Sequence, residues 1–434
     1  MSRLQPAIGL TVMIAALYLL STDRKAVRWR IVAWGLGLQF LFALFVLRTG
    51  AGQAVFGGVN RAFLAVASAA EAGGAFVFGP MARQDSVPVG EVAGDGAFVP
   101  SGRGVARTGF IFAFRVLPSI IFFSALMAAG YHLGLMQRLV RGIARVMAVS
   151  MKTSGAETMS TAANIFVGQT EAPLMVRPYI NHMTRSELMA VMVGGFANTA
   201  GGVLLMYVGL LKDRIPDIGA HLLTSSVLTA PAALMMAKLL VPETAVPRTA
   251  GRATVEMPAA DANLLDAVTR GTSEGLALAL NVAAMLIVFV AGVALIDAGL
   301  GWISTLLGAA EPWTLAAVFG RVFWPVAWLL GVPPADCAAV GHLLGVKTFF
   351  NELVAYLDLA RTGPGLSDRS YLIASYALCG FANIGSIGIQ IGGLSAMAPE
   401  RRAELARLGL ACLLYTSDAA DDLLCVDLGG RRII

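Results

Sequence analysis

Asn164-Ile165-Phe166-Val167-Gly168-Gln169-Thr170-Glu171-Ala172-Pro173-Leu174 sets two side-chain amides, a hydroxyl and a carboxylate inside an apolar sequence. Pro173 bars a continuous helix through them. Polar groups in hydrocarbon persist where they pair with one another or line a cavity that holds something polar. Two readings therefore fit the stretch taken alone: a binding site, or a satisfied polar turn between packed helices.

The surroundings are those of a polytopic membrane protein. Of 434 residues, 57% are hydrophobic and 14% charged, with a mean hydropathy of +0.73; soluble domains carry about a quarter charged residues. A net charge of +5 and a pI near 9.2 would suggest nucleic acid in a soluble chain. Here Lys and Arg fall in short loops between apolar runs, so the charge reads as topology and no nucleic-acid partner is expected. Cys337, Cys379, Cys412 and Cys425 have no paired spacing, and His132, His182, His221 and His342 are scattered. Neither a disulfide framework nor a zinc site follows. The first apolar run has only Arg3 before it and a basic cluster after it, the reverse of a secretory signal, and reads as a retained helix.

Seven segments are long enough to span a bilayer, near residues 5–22, 31–48, 108–130, 186–211, 220–241, 276–297 and 371–393. Arg24, Lys25, Arg28 and Arg30 mark the first connection as cytoplasmic, and parity then puts the Arg-bearing segments 138–158, 238–275 and 397–407 on the same side. The apolar segment 313–330 has Arg321 at its middle and Pro325 behind it, and reads as an interfacial helix outside. Its counterpart inside is 138–150, with Leu139, Val140, Ile143, Val146 and Met147 on one face. Residues 82–107 read as an exposed outer loop, and 242–261 as a linker rich in Pro, Ala and Thr. The expected divisions are N-terminal helices and outer loop (1–107), a first transport repeat (108–241), a cytoplasmic linker (242–275), a second repeat (276–411) and a tail (412–434).

The two halves repeat. Gly195-Phe196-Ala197-Asn198 recurs as Gly380-Phe381-Ala382-Asn383, and each copy follows a buried carboxylate, Glu171 or Glu352, in an interrupted apolar segment. The order of amphipathic helix, broken polar segment and Gly-interrupted span appears in both halves with opposite topology. That order points to a secondary transporter of inverted repeats with a midplane site.

At these residues the chain resembles the concentrative nucleoside transporter family, from about Leu4 to Gly409. The resemblance is carried by Phe76-Val77-Phe78-Gly79, Phe114-Arg115-Val116-Leu117-Pro118, 168–179, Asn351-Glu352 with Ala355-Tyr356, and Ala377-Leu378-Cys379-Gly380-Phe381-Ala382-Asn383. It implies an all-α fold of inverted repeats with eight spans, two re-entrant hairpins and two discontinuous helices, assembled as a homotrimer in a bacterial inner membrane. Nucleoside would lie between hairpin tips and unwound helix middles. Seven visible spans leave the final helix missing: a helix from Glu400 turns apolar at Leu408 and then gives way to Tyr415-Thr416-Ser417-Asp418-Ala419-Ala420-Asp421-Asp422, so 412–434 reads as a non-native tail.

By the same resemblance Gln169, Thr170 and Glu171 would face the base with Val203 packed on it, while Glu352, Asn383 and Ser386 would hold the ribose beside Phe381. These types suit a neutral solute, since a carboxylate accepts two hydroxyl protons and an amide pairs with an amide-like pyrimidine edge. Gly168 leaves room for a purine as well. The plainer readings are an internal ion pair for Glu352 or Glu171 with Lys347 or Arg177, core packing for Phe381 and Val203, and a half-helix cap for Asn383. No cofactor is expected beyond sodium as coupling ion, which Asn164, the Val167 carbonyl, Asn198 and Thr199 would coordinate. The family commonly carries Thr or Ser, then Ile or Val, at the last two positions. Proton coupling through Glu171 is the alternative. An intramembrane hydrolase using the two glutamates lacks a metal motif, a nucleophile triad and a phosphate loop; a passive channel or a binding receptor stays open as a third reading, while the broken helices in both halves favour alternating access.

Overall fold

A computed structural model describes residues 5–82, 86–92, 98–107, 111–251, 261–309 and 311–419. Among the described residues the regular structure is helical apart from one antiparallel hairpin. Three helices open the chain: α1 (Gln5–Leu20), α2 (Trp29–Arg48) and α3 (Gly50–Phe78). The hairpin β1 (Ser86–Val92) and β2 (Phe98–Arg107) occupies most of the expected outer loop. Then come the short α4 (Phe112–Arg115), α5 (Leu117–His132) and the amphipathic α6 (Leu135–Met151).

The first polar segment is a hairpin. Its arms are α7 (Gly155–Ala163) and a 3-10 turn (Ala172–Val176) running into α8 (Arg177–Ile180). A discontinuous span follows, α9 (Arg185–Ala197) and α10 (Gly201–Leu211), and α11 (Ile218–Leu240) closes the repeat. The second half begins with α12 (Leu264–Leu306), then α13 (Leu315–Val322) and α14 (Trp324–Leu329). A second hairpin, α15 (Cys337–Phe349) and α16 (Glu352–Thr362), precedes a second discontinuous span, α17 (Asp368–Ala377) and α18 (Ile384–Met397), and then α19 (Arg402–Ala419). The expected division at 275 falls within α12, whose 43 residues extend roughly 64 Å, about twice a bilayer's hydrocarbon core.

The α3 helix is long and apolar enough to cross a membrane, yet its neighbours show that it does not. Gly52 meets Phe45 and Val46 at the end of α2, and the Asn60 amide donates to the Pro216 carbonyl at 3.2 Å. Gly74 packs on Pro118 and Phe114 at the start of α5. All three places are outer ends in the positive-inside topology. The 22 residues between Gly52 and Gly74 cover roughly 33 Å, so α3 lies along the outer face across the tops of three helices.

The two expected interfacial helices take that form. The α13–α14 pair, broken at Phe323, is too short to cross, and it rests on α15, where Gly320, Gly341 and Gly345 allow close approach to Ala338, Phe323 and Phe319. On α6, Val140, Ala144, Met147 and Met151 are buried, whereas Leu139 and Val146 of the expected face are exposed. Its buried stripe is narrower than its apolar one, as befits a helix with lipid on its other side.

The hairpins enter from opposite sides. At the base of the first, Ser154 and Thr184 form capping boxes with Glu157 and Glu187, and the buried Lys238 of α11 pairs with Glu157 at 2.7 Å and Glu243 at 3.1 Å. Ser154 also donates to Glu187, tying the hairpin to α9. Removing Lys238 would leave buried carboxylates unpaired, at a cost of about 3–5 kcal/mol. The second hairpin ends at the opposite face, where Arg214, between α10 and α11, donates to the Gly363 and Leu366 carbonyls and to Asp368.

Two sequence expectations are corrected. The matched tetrapeptides are not structurally equivalent: Gly195–Ala197 form the last turn of α9, whereas Gly380–Ala382 lie in the unwound segment and Asn383 caps α18. The helix expected to give way at Tyr415 continues in the backbone to Ala419, with Leu405, Leu408 and Cys412 buried and Cys412 touching Met189 of α9. Residues 420–434 of the expected tail lie outside the described residues.

The placement of α3 predicts a labelling pattern in intact cells. A membrane-impermeant maleimide will modify Ser101→Cys in β2 and spare Val246→Cys after α11, until the cells are opened. A crossing α3 would put Ser101 inside and protect it.

Candidate functional site

Helices break where their peptide groups find other partners. In α9–α10 the break covers residues 198–200, and the Gly201 amide donates to the Phe166 carbonyl at the tip of the first hairpin, at 3.1 Å. In α17–α18 it covers residues 378–383. The buried Lys347 ammonium of the second hairpin donates to the Ala377 carbonyl at 2.6 Å, where a cation complements the helix dipole. The two breaks also touch each other. Gly380 has φ +135°, and a Cβ there would lie 2.6 Å from the Ala197 carbonyl oxygen, so both backbone shape and space require glycine. Beside this contact, the Thr199 hydroxyl lies 3.7 Å from Cys379 Sγ.

Around this crossing runs a chain of polar contacts. Gln169 Nε2 donates to Ser386 Oγ at 3.4 Å, and Asn383 Oδ1 accepts from the Ser386 backbone amide at 2.9 Å. Asn383 Nδ2 donates to Glu352 at 3.0 Å, and the Tyr207 hydroxyl donates to the other Glu352 oxygen at 3.2 Å. Asn383 is thus a helix cap and a ligand of the carboxylate at once. Glu352 is buried, 6% exposed, and opens α16 as its first residue behind the Asn351 cap. The chain joins both hairpins to both discontinuous spans, which none of these elements would do alone.

Tyr207 was not singled out from the sequence. It sits in an apolar run of α10 with no polar neighbour to mark it, and it stacks on Tyr356 with ring centroids 3.9 Å apart. Tyr356 in turn donates to the Ser375 carbonyl at 2.5 Å. Its place four residues after Glu352 was the one available signal, since that spacing puts both on one face of α16.

The other expected site residues divide. Val203 is packed at 5% exposure and Phe381 is half-buried against the core. Thr170 touches α18, where a Cβ on Gly393 would lie 3.0 Å from its Cγ2. Glu171 stays outside the polar chain: it is exposed, and its carboxylate folds back to accept from the Gly168 amide at 2.6 Å. That carboxylate also takes the space beside Gly168, where a Cβ would lie 3.0 Å from it. Among the described residues no ion pair joins Glu171 to Arg177.

Asn164 and Asn198 present a different chemistry. Each donates its side-chain NH2 to a carbonyl one turn back, Ser160 at 3.1 Å and Gly194 at 3.4 Å, and each leaves a buried Oδ1 with no hydrogen bond. The two are neighbours, because Thr161 packs on Gly194 one turn before each and Gly168 approaches Ala200 just beyond. Two buried neutral oxygens with no hydrogen bond fit a hard monovalent cation. Among the described residues no cluster of His, Cys, Asp or Glu is suited to a transition metal.

The chain matches three family descriptions in succession: Na+ dependent nucleoside transporter N-terminus over residues 8–81, nucleoside recognition over 113–214, and Na+ dependent nucleoside transporter C-terminus over 221–420. It is 40% identical to an uncharacterized transporter of Haemophilus influenzae, covering 95% of this chain and 94% of that one. It is 39% identical to solute carrier family 28 member 3 of Eptatretus stoutii and 38% identical to sodium/nucleoside cotransporter 1 of Mus musculus, over 97% and 94% of this chain. The chain spans about three fifths of those two proteins, 59% and 60%. Among solved structures, CNTnw in an inward-facing substrate-bound state superposes with a TM-score of 0.87 at 39% identity, covering 100% of this chain and 99% of that one. The relatives are transporters rather than enzymes, and this chain belongs to the Na+-dependent, concentrative nucleoside transporter family.

Proposed function

We propose that the protein imports nucleosides across the bacterial inner membrane in symport with sodium, by alternating access, as a homotrimer. The observation that supports this most is the polar chain from Gln169 through Ser386, Asn383 and Glu352 to Tyr207, which ties both hairpins to both broken spans. Its groups are neutral amides and hydroxyls around one carboxylate, a set matched to a neutral solute with vicinal hydroxyls. In this reading Glu352 accepts from the ribose hydroxyls, and Asn383 and Ser386 complete that grip with Phe381 alongside. Gln169, Thr170 and Glu171 face a pyrimidine base, or a purine once Glu171 swings away from Gly168, and Val203 packs on it.

Sodium sits with the Asn164 and Asn198 side-chain oxygens, the Val167 carbonyl and Thr199. It thereby ties the first hairpin to the first break, and the free Oδ1 atoms of both asparagines favour this arrangement. Asn198 supplies the hard oxygen that the family's Thr or Ser would otherwise give. Proton coupling through Glu171 is the second reading: among the described residues no cation pairs directly with its carboxylate, which leaves that charge for a proton to neutralise.

Two outcomes are expected in proteoliposomes. Glu352→Gln will abolish or cripple uridine uptake while the protein remains folded, because an amide offers one acceptor and two competing donors. Losing one charge-assisted hydrogen bond costs about 1.5–3 kcal/mol, or roughly 10- to 100-fold in affinity. Wild-type uptake by this variant removes Glu352 from the site.

An inward sodium gradient at constant pH will drive uridine accumulation, and an inward proton gradient with choline in place of sodium will not. Accumulation on the proton gradient alone would transfer the coupling role to Glu171. Release of free uracil would instead mark a hydrolase.

A further inference from the structure

We propose that Gln390 is a positioning residue for base recognition: its amide takes over from Ser386 as the partner of Gln169 when a nucleoside is bound. The proposal rests on the nucleoside reading above and deepens it.

Ser386, Gln390 and Gly393 follow one another at i, i+4 and i+7 on α18, so they form one face of the helix. That face runs along the tip of the first hairpin. At one end Ser386 Oγ accepts from Gln169, and at the other Gly393 packs on Thr170. Gln390 lies between them. Opposite it, on α9, is Gly195: a Cβ there would collide with Gln390 Nε2 and would also lie 3.1 Å from Gln169 Cβ. The missing side chain of Gly195 therefore makes the slot in which the two glutamines meet.

The slot holds unused hydrogen-bonding capacity. Gln390 is 1% exposed, and neither its Oε1 nor its Nε2 has a partner; Gln169 Oε1 has none either. Three of the four polar atoms of two adjacent side-chain amides are thus buried and unpaired. In a buried interface that arrangement is worse than a leucine or methionine of similar size, unless another state of the protein uses the amide. An amide is self-complementary, with a donor that fits its neighbour's acceptor.

The nucleoside reading supplies the second state. When a ribose hydroxyl claims Ser386, Gln169 loses the long 3.4 Å bond that holds it. A rotamer change lets Gln390 Nε2 donate to Gln169 Oε1. That bond fixes the orientation of the Gln169 amide and leaves its Nε2 as an oriented donor for a carbonyl on the base. Gln390 acts through Gln169 and touches no part of the ligand.

The test is equilibrium binding to the purified protein in sodium buffer, with two ligands: uridine, and a phenyl C-riboside that keeps the sugar and lacks any polar base edge. Gln390→Met preserves length and removes the amide. It should weaken uridine about 3- to 10-fold, the effect of one hydrogen bond, and leave the phenyl riboside unchanged, so discrimination between the two shrinks. In a Gln169→Leu background the same substitution should have no further effect, because the residue through which it acts is gone. Gly195→Ala, which displaces Gln390 from the slot, should reproduce the loss of discrimination and gives a second route if Gln390→Met does not fold. Equal weakening of both ligands would mean a packing role and overturn the proposal, as would unchanged discrimination, or additive losses in the double variant. If the wild type binds neither ligand, the nucleoside reading itself falls and takes this inference with it.

Discussion

Peptide groups freed by a helix break in mid-membrane have no water to turn to, and the architecture is a set of answers to that constraint. The Gly201 amide is met by the tip of the first hairpin, the Ala377 carbonyl by the ammonium of Lys347, and the first turn of α18 by the cap of Asn383. Gly380 brings the two breaks against each other in a backbone shape that other residues seldom adopt. Each hairpin therefore supports an unwound segment. Neither break would be stable in a chain that lacked the other elements.

The same contacts make the centre polar without leaving it wet. Glu352 is held by a tyrosine from α10 and an asparagine from the second break, so an ionisable group from one repeat is bonded to residues of both. At the first break the pattern differs. Asn164 and Asn198 spend their NH2 groups on their own helices and keep a buried side-chain oxygen with no hydrogen bond. In the proposed cycle a cation there fastens the hairpin whose tip also carries Gln169 and Thr170, so ion and nucleoside act on one mechanical unit. Coupling then needs no long pathway, since the two sites share residues 164–171.

Much of this was legible in the sequence because membrane chemistry is unforgiving. Polar residues between apolar runs marked a candidate site, Arg-bearing loops fell on one side by parity, and Asn164, Gln169, Glu352 and Asn383 stood out against hydrocarbon. What escaped was whatever looked ordinary. Tyr207 and Gln390 lie in apolar helices, and their importance comes from what packs on them. The α3 helix has the length and composition of a span, and only its contacts with three outer helix ends show that it lies flat. The tetrapeptide repeat was the reverse error: identical residues at positions shifted relative to the two helix breaks, since Asn198 opens the first break and Asn383 ends the second. Glu171 shows a further limit, since no pattern in the sequence announces that its carboxylate bonds its own turn.

In the proposed cycle a cation at the first break and a nucleoside at the polar chain stabilise the same arrangement. Reciprocity follows: whatever factor sodium adds to uridine affinity, uridine must add to sodium affinity. Isothermal titration of the purified protein with uridine, across sodium concentrations balanced with choline, tests it, together with sodium titrations with and without saturating uridine. The uridine Kd should fall as sodium rises, and the two coupling factors should agree. A uridine Kd that is the same in choline as in sodium would contradict this coupling.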